Sequence, residues 1–166
     1  MKRVLLTGMS GTGKSTVIAE LAARGYKAVD TDEGGFSELV SVPADEPTGL
    51  DPGQDWVWRA DRILALLSTE DADVLFLGGC SPNQGTFYPR LDHIVLLSAP
   101  ADVIVERLAT RTTNPYGKRP EEVARVLGLV QTIEPMLRRS ADHVVDTDAP
   151  LDQVVATVLQ LVGERA

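Results

Sequence analysis

Short apolar runs alternate along this chain with longer stretches in which apolar residues return every three or four positions. The runs are Val4–Thr7, Tyr26–Val29, Asp73–Leu77, Ile94–Leu97 and His143–Val145. Apolar runs this short predict strands buried on both faces. The helical spacing covers Thr16–Arg24 with Ile18, Leu21 and Ala22, and Asp55–Leu67 with Val57, Ile63, Leu64 and Leu67. It returns after Ser98-Ala99-Pro100 with Ile104, Val105 and Leu108. A long helix is expected from Pro120 with Val123, Val126, Leu127, Val130, Ile133 and Leu137, and a closing one from Pro150 with Leu151, Val154, Val155, Val158, Leu161 and Val162. Gly25 stops the first helix, Thr112–Lys118 interrupts the pattern, and Val42–Gly53, rich in Pro, Asp and Gly, reads as a loop. Strands alternating with helices predict an α/β fold in three layers, a five-stranded parallel sheet with helices on both faces, as a single domain over residues 1–166. Ligands of such sheets bind beyond the carboxyl ends of the strands.

Composition narrows the partners. A formal charge of −8 and a pI near 4.7 argue against a general nucleic-acid binder. One cysteine, Cys80, leaves no intrachain disulfide and suits a reducing cytoplasm. No apolar run approaches the length of a membrane span, and the first residues lead directly into a strand, so no cleavable signal and no membrane partner are expected.

Between the first strand and the first helix lies Gly8-Met9-Ser10-Gly11-Thr12-Gly13-Lys14-Ser15-Thr16, which fits G-x-x-x-x-G-K-[ST]. A strand turning into a helix leaves backbone N–H groups aimed at one point, where the helix dipole adds partial positive charge. Glycine allows positive φ and close approach of the backbone to phosphate oxygens. Lys14 is the point charge for β- and γ-phosphates, and Ser15 a ligand for Mg²⁺. The stretch therefore predicts nucleoside triphosphate binding by Gly8, Ser10, Gly11, Thr12, Gly13, Lys14, Ser15 and Thr16.

With these residues in view, the chain resembles the small P-loop kinases of metabolites, with shikimate kinase the nearest pattern and gluconate and nucleoside monophosphate kinases related. Gly25-Tyr26 through Val29-Asp30-Thr31-Asp32 is similar to that family's paired-aspartate motif. Gly53-Gln54-Asp55 with Trp58-Arg59, Leu77-Gly78-Gly79, Arg111 with Arg119-Pro120, and Glu134–Asp142 leading into Val144–Asp148 resemble its later segments in order. The resemblance implies a P-loop kinase fold with a short lid at about residues 112–119 and an acceptor-side segment at about 33–62. It implies ATP and Mg²⁺, with Asp30 near the metal. Asp32 would hydrogen-bond the acceptor hydroxyl and act as its base. Arg59 and Arg138 would grip an acidic acceptor, with Gly78 and Gly79 packed against it. Arg111 would lie on the adenine, Pro150 would edge its pocket, and Arg119 would close over the phosphates. The departures fall on the acceptor side: Cys80 replaces a third glycine, Ser81–Gly85 and Glu33-Gly34-Gly35 are unlike the family, and Arg62 stands where an acidic partner of Arg59 is expected.

The residues leave several roles open. Arg107, Arg111, Lys118 and Arg119 cluster around Thr112–Tyr116, as a phosphate lid would require. Asn83 and Gln84 suit either a turn or the reading of a base or polyol, and Trp56 and Trp58 suit either packing or stacking on an acceptor ring. The expected activity is γ-phosphoryl transfer from ATP to a hydroxyl of a small polar metabolite, catalysed through Lys14, Asp32 and Arg119. The alternatives are a nucleoside or nucleoside monophosphate kinase and, in another class, a nucleotide-binding regulatory protein. Whether the chain is a monomer or a dimer stays undecided.

Overall fold

The computed structural model describes residues 1–166. Its strands are β1 (Lys2–Thr7), β2 (Lys27–Asp30), β3 (Ser37–Ser41), β4 (Gln54–Trp58), β5 (Val74–Gly78), β6 (His93–Ser98) and β7 (His143–Asp146). Its helices are α1 (Lys14–Ala23), α2 (Ala60–Ser68), α3 (Ala101–Thr110), α4 (Pro120–Thr132), α5 (Glu134–Ser140) and α6 (Leu151–Leu161), with a 3-10 turn at Gln84–Arg90. Five strands form one parallel sheet in the order β2-β5-β1-β6-β7.

The unbroken apolar runs follow from burial on both sides of this sheet. Val4, Leu6, Phe76, Val95 and Leu97 pack on Val17, Ile18 and Leu21 of α1 and Val154, Val155 and Val158 of α6. The intervening Leu5, Leu75, Leu77 and Ile94 face the other layer, where Ile63 and Leu67 of α2 join Trp58 and Phe87. Because every pair in the sheet is parallel, the ends of β1, β2, β5, β6 and β7 that carry Gly8, Thr31, Gly79, Ala99 and Thr147 gather on one edge.

Two expected helices differ. Residues Asp55–Trp58, read as the start of a helix, belong with Gln54 to β4, which pairs antiparallel with β3, a strand absent from the expected list. Trp56-Val57-Trp58 are aromatic and β-branched residues that favour a pleated surface, and α2 starts only after Arg59, whose backbone is extended. The long helix from Pro120 ends at Thr132, and α5 starts afresh at Glu134 with Pro135 in its first turn. Proline has no N–H to give the preceding turn, so it begins a helix far better than it continues one.

Candidate active site

At the end of β1 the loop bends through Gly8, Gly11 and Gly13, with φ of +149°, +83° and +96°. A Cβ on Gly8 would stand 2.3 Å from the Leu97 carbonyl oxygen, so backbone conformation and space both demand glycine. No side chain caps the start of α1, which leaves its first N–H groups open toward the groove. Thr12 Oγ1 donates to the Met9 carbonyl at 2.7 Å and closes the loop. The Lys14 ammonium donates to the Gly8 and Met9 carbonyls at 2.7 and 2.9 Å. Withdrawal from water pulls the Lys14 pKa down, against the opposing pull of Cys80, Asp32 and Asp30.

Arg107 stitches this loop to the far side of the sheet. Its Nη1 and Nη2 donate to Oγ1 and O of Thr147 at 2.8 and 2.6 Å, while Thr147 Oγ1 donates to the Thr12 carbonyl at 2.7 Å. The sequence marked Arg107 only as part of a basic cluster and carried no signal for Thr147, whose role rests on contacts across 135 residues.

A groove of about 320 Å³ runs from the loop toward Ala149 and Leu151. Ser10, Gly11, Gly13, Lys14, Ser15 and Thr16 line one side, and Arg107 and Arg111 the other. Pro150 sits between Ala149 and Leu151 as the residue that precedes α6. Arg111 donates from Nη2 to Ser10 Oγ at 3.3 Å and to the Tyr116 carbonyl, while its Nε is buried with no partner. That spare donor, the open N–H groups and Lys14 suit a polyphosphate. Ser15 Oγ donates to Asp30 Oδ2 at 2.6 Å. Mg²⁺ bound with substrate phosphates needs only one or two protein oxygens, so this hydroxyl and carboxylate fit it although no cluster of three His, Cys, Asp or Glu is present.

A second cavity of about 510 Å³ lies between the β3–β4 hairpin, residues 112–119 and α4. Ser10, Asp32 and Asn114 line both spaces, so Asp32 stands where they meet. Its Oδ1 accepts the Trp56 indole N–H at 3.0 Å, and its backbone N–H is held by Asp30 Oδ1 at 3.0 Å. Tyr116 joins residues 112–119 to the opposite rim by donating its hydroxyl to the Gly49 carbonyl. Arg119 is half exposed and faces Asp51, Glu121 and Glu122 at 3.5, 3.3 and 3.4 Å, while Arg125 meets Asp51 at 3.0 Å.

The structure does not bring Arg59, Gly78, Gly79 or Arg138 to either cavity. Arg59 pairs with Asp61 at 3.6 Å and Arg138 with Glu134 at 3.3 Å, each a neighbour on the same helix or at its start. Gly78 and Gly79 are buried, and a Cβ on them would meet Ile18 at 2.4 Å and Thr31 Oγ1 at 1.9 Å. Their smallness is thus explained by packing. Gly79→Ala should cost about 1–3 kcal/mol of stability by overpacking, read as an earlier midpoint in urea unfolding; an unchanged midpoint would contradict the contact with Thr31. Gln84 is buried, holding Thr7, Ser81 and Tyr88, and Asn83 binds the Trp58 backbone. Trp58 is buried with its indole N–H on Thr31 Oγ1 at 3.0 Å. Of the two tryptophans, only Trp56 lines either of these two cavities.

Comparison with known proteins agrees with this geometry. The AAA_18 family, described as AAA domain, matches residues 4–128. Shikimate kinase 2 of Yersinia enterocolitica is 28% identical over 98% of this chain and 96% of its own. Among solved structures, shikimate kinase from Acinetobacter baumannii in complex with shikimate aligns with a TM-score of 0.64 at 18% identity, covering 98% of this chain and 93% of that one. A gluconokinase from Sinorhizobium meliloti aligns at 0.54 and 17%, covering 98% and 91%. The two structures share the fold, and no helix here is long and apolar enough to cross a membrane. The phosphate loop, the sheet order around it and these relatives together show that the chain belongs to the AAA_18 family of P-loop domains and is a small P-loop metabolite kinase, an ATP-dependent phosphotransferase.

Proposed function

We propose that this enzyme moves the γ-phosphoryl group of ATP onto a hydroxyl of a small polar metabolite that occupies the cavity beside Asp32. The observation that carries this is the position of Asp32 at the junction of the two cavities, one carboxylate reaching both the phosphate groove and the second space. The phosphates would lie against the open N–H groups of α1 and the Lys14 ammonium, with Arg111 beside them. Ser15 and Asp30 would hold Mg²⁺, which when bound would supply neutralisation of the phosphate charge. Asp32 orients the acceptor hydroxyl and takes its proton as the new O–P bond forms and the bond from the γ-phosphorus to the bridging oxygen breaks. Arg119, on the segment proposed as a lid, turns from its surface carboxylates toward the phosphoryl group in transit. The acidic surface supports a small-molecule rather than a nucleic-acid partner, and the single cysteine supports the cytoplasm as its place.

Shikimate, named with the Acinetobacter relative, is the first template to assay. ADP release should rise on adding an acceptor, and the absence of any acceptor-dependent release across acids, sugars and nucleosides would refute the kinase assignment. Arg119→Ala should lower kcat by about ten- to a hundredfold while leaving the KM for ATP within a few fold, because a lid cation acts in the transition state. An unchanged kcat removes that role.

A further inference from the structure

We infer that the acceptor is an uncharged polyhydroxylated ring, a sugar or cyclitol, seated with its face on Trp56 in the cavity between the β3–β4 hairpin and residues 112–119. This rests on the kinase reading and names the substrate that reading leaves open. The hairpin register supplies the first observation. Leu39 is paired with Trp56, and side chains two residues apart on a strand share a face, so Leu39, Gln54 and Trp56 all look into the cavity. Trp56 is 36% and Leu39 53% exposed, and with Leu50 they give the cavity an apolar wall beside its charged groups. An indole face set among hydrogen-bonding groups suits the C–H face of a sugar ring.

Charge supplies the second. The cavity holds three carboxylates, Asp32, Asp51 and Glu122, against two guanidiniums, Arg119 and Arg125. Both guanidiniums already face Asp51, at 3.5 and 3.0 Å, and Arg119 also meets Glu122. No positive charge is left in excess to receive an acid. Arg59 and Arg138, the residues that would have gripped one, are paired with Asp61 and Glu134 outside the cavity. Carboxylates accept hydrogen bonds and donate none, so this lining matches a ligand rich in hydroxyl donors. Arg125 Nη1, buried without a partner, leaves one donor for a hydroxyl oxygen.

The third observation joins the wall to the chemistry. The Trp56 indole N–H holds Asp32 Oδ1 at 3.0 Å, so a ring lying on the indole presents an edge hydroxyl beside the same carboxylate. Trp56 is then both the acceptor platform and the positioning residue for Asp32.

The test is acceptor-dependent ADP release by the intact protein with three sets of compounds: neutral pentoses, hexoses and cyclitols; the acids shikimate and gluconate; and nucleosides. Stimulation by a neutral sugar or cyclitol with kcat/KM at least tenfold above either acid is expected. Turnover confined to the acids, or to nucleosides, overturns this inference and leaves the kinase reading standing. Silence with all three sets overturns both. With the active acceptor, Trp56→Ala should raise its KM about tenfold through loss of the stacking face. Trp56→Phe keeps a face but loses the indole N–H, so KM should stay within about threefold while kcat falls. Wild-type values of both constants in both variants overturn the role given to Trp56.

Discussion

Replacing Lys14 by alanine will lower kcat by about a thousandfold or more, because the site loses its only ammonium beside the developing charge of the transferred phosphoryl group. The fold should not suffer. Lys14 donates to two loop carbonyls but carries its charge out of water, so its removal trades two hydrogen bonds for relief of a desolvation cost. The Tm of Lys14→Ala should therefore match or exceed that of the parent. A variant with near-parental turnover would contradict the assignment of the loop. The same burial sets a pH dependence. A lowered Lys14 pKa means that the ammonium is lost at a pH below the ordinary lysine value of 10.5. The alkaline limb of kcat/KM for ATP, which reports the free enzyme, should thus fall before 10.5, and the limb of kcat should lie higher because bound phosphates favour the charged form.

Asp32→Asn should reduce kcat by about a hundredfold or more, the usual worth of a positioned general base. The substitution keeps the shape, and the asparagine oxygen still accepts the Trp56 indole N–H, so the cavity and the KM for ATP should change little. What is lost is the proton acceptor and one negative charge. Since Asp32 is one of the groups that raises the Lys14 pKa, its neutralisation should also move the alkaline limb of kcat/KM for ATP to still lower pH. A kcat within about threefold of the parent would remove Asp32 as base, and an unmoved limb would show that its charge does not reach Lys14.

Parts of this site were readable because their causes are local. Gly8, Gly11 and Gly13 adopt positive φ within a single loop, and Lys14 folds back on carbonyls five and six residues away. The buried sheet was equally legible, since each apolar run records burial on both faces of its own strand. Asp30 and Asp32 came into view through the resemblance to the small P-loop kinases, and they stand at and just beyond the end of β2.

The acceptor side was not legible in the same way. Residues 55–67 carry enough apolar positions to fit a helix, and pairing of Gln54–Trp58 with Ser37–Ser41 made the first part a strand instead. That pairing turned Trp56 into a cavity wall and buried Trp58 on Thr31, a division of labour that neither tryptophan's neighbours could reveal. Arg59 and Arg138 have the residue type that grips an acid, yet Asp61 and Glu134 engage them first.

The amino-acid order alone determined the phosphate loop, the α/β alternation and the carboxylates at the end of β2, because these depend on backbone preferences and burial within a few positions. Only the tertiary structure decided which side chains face the acceptor, how Arg107 and Thr147 brace the loop, and that Asp32 joins two cavities. Those outcomes are set by partners distant in the chain, whose contacts exist only once the sheet and hairpin have formed.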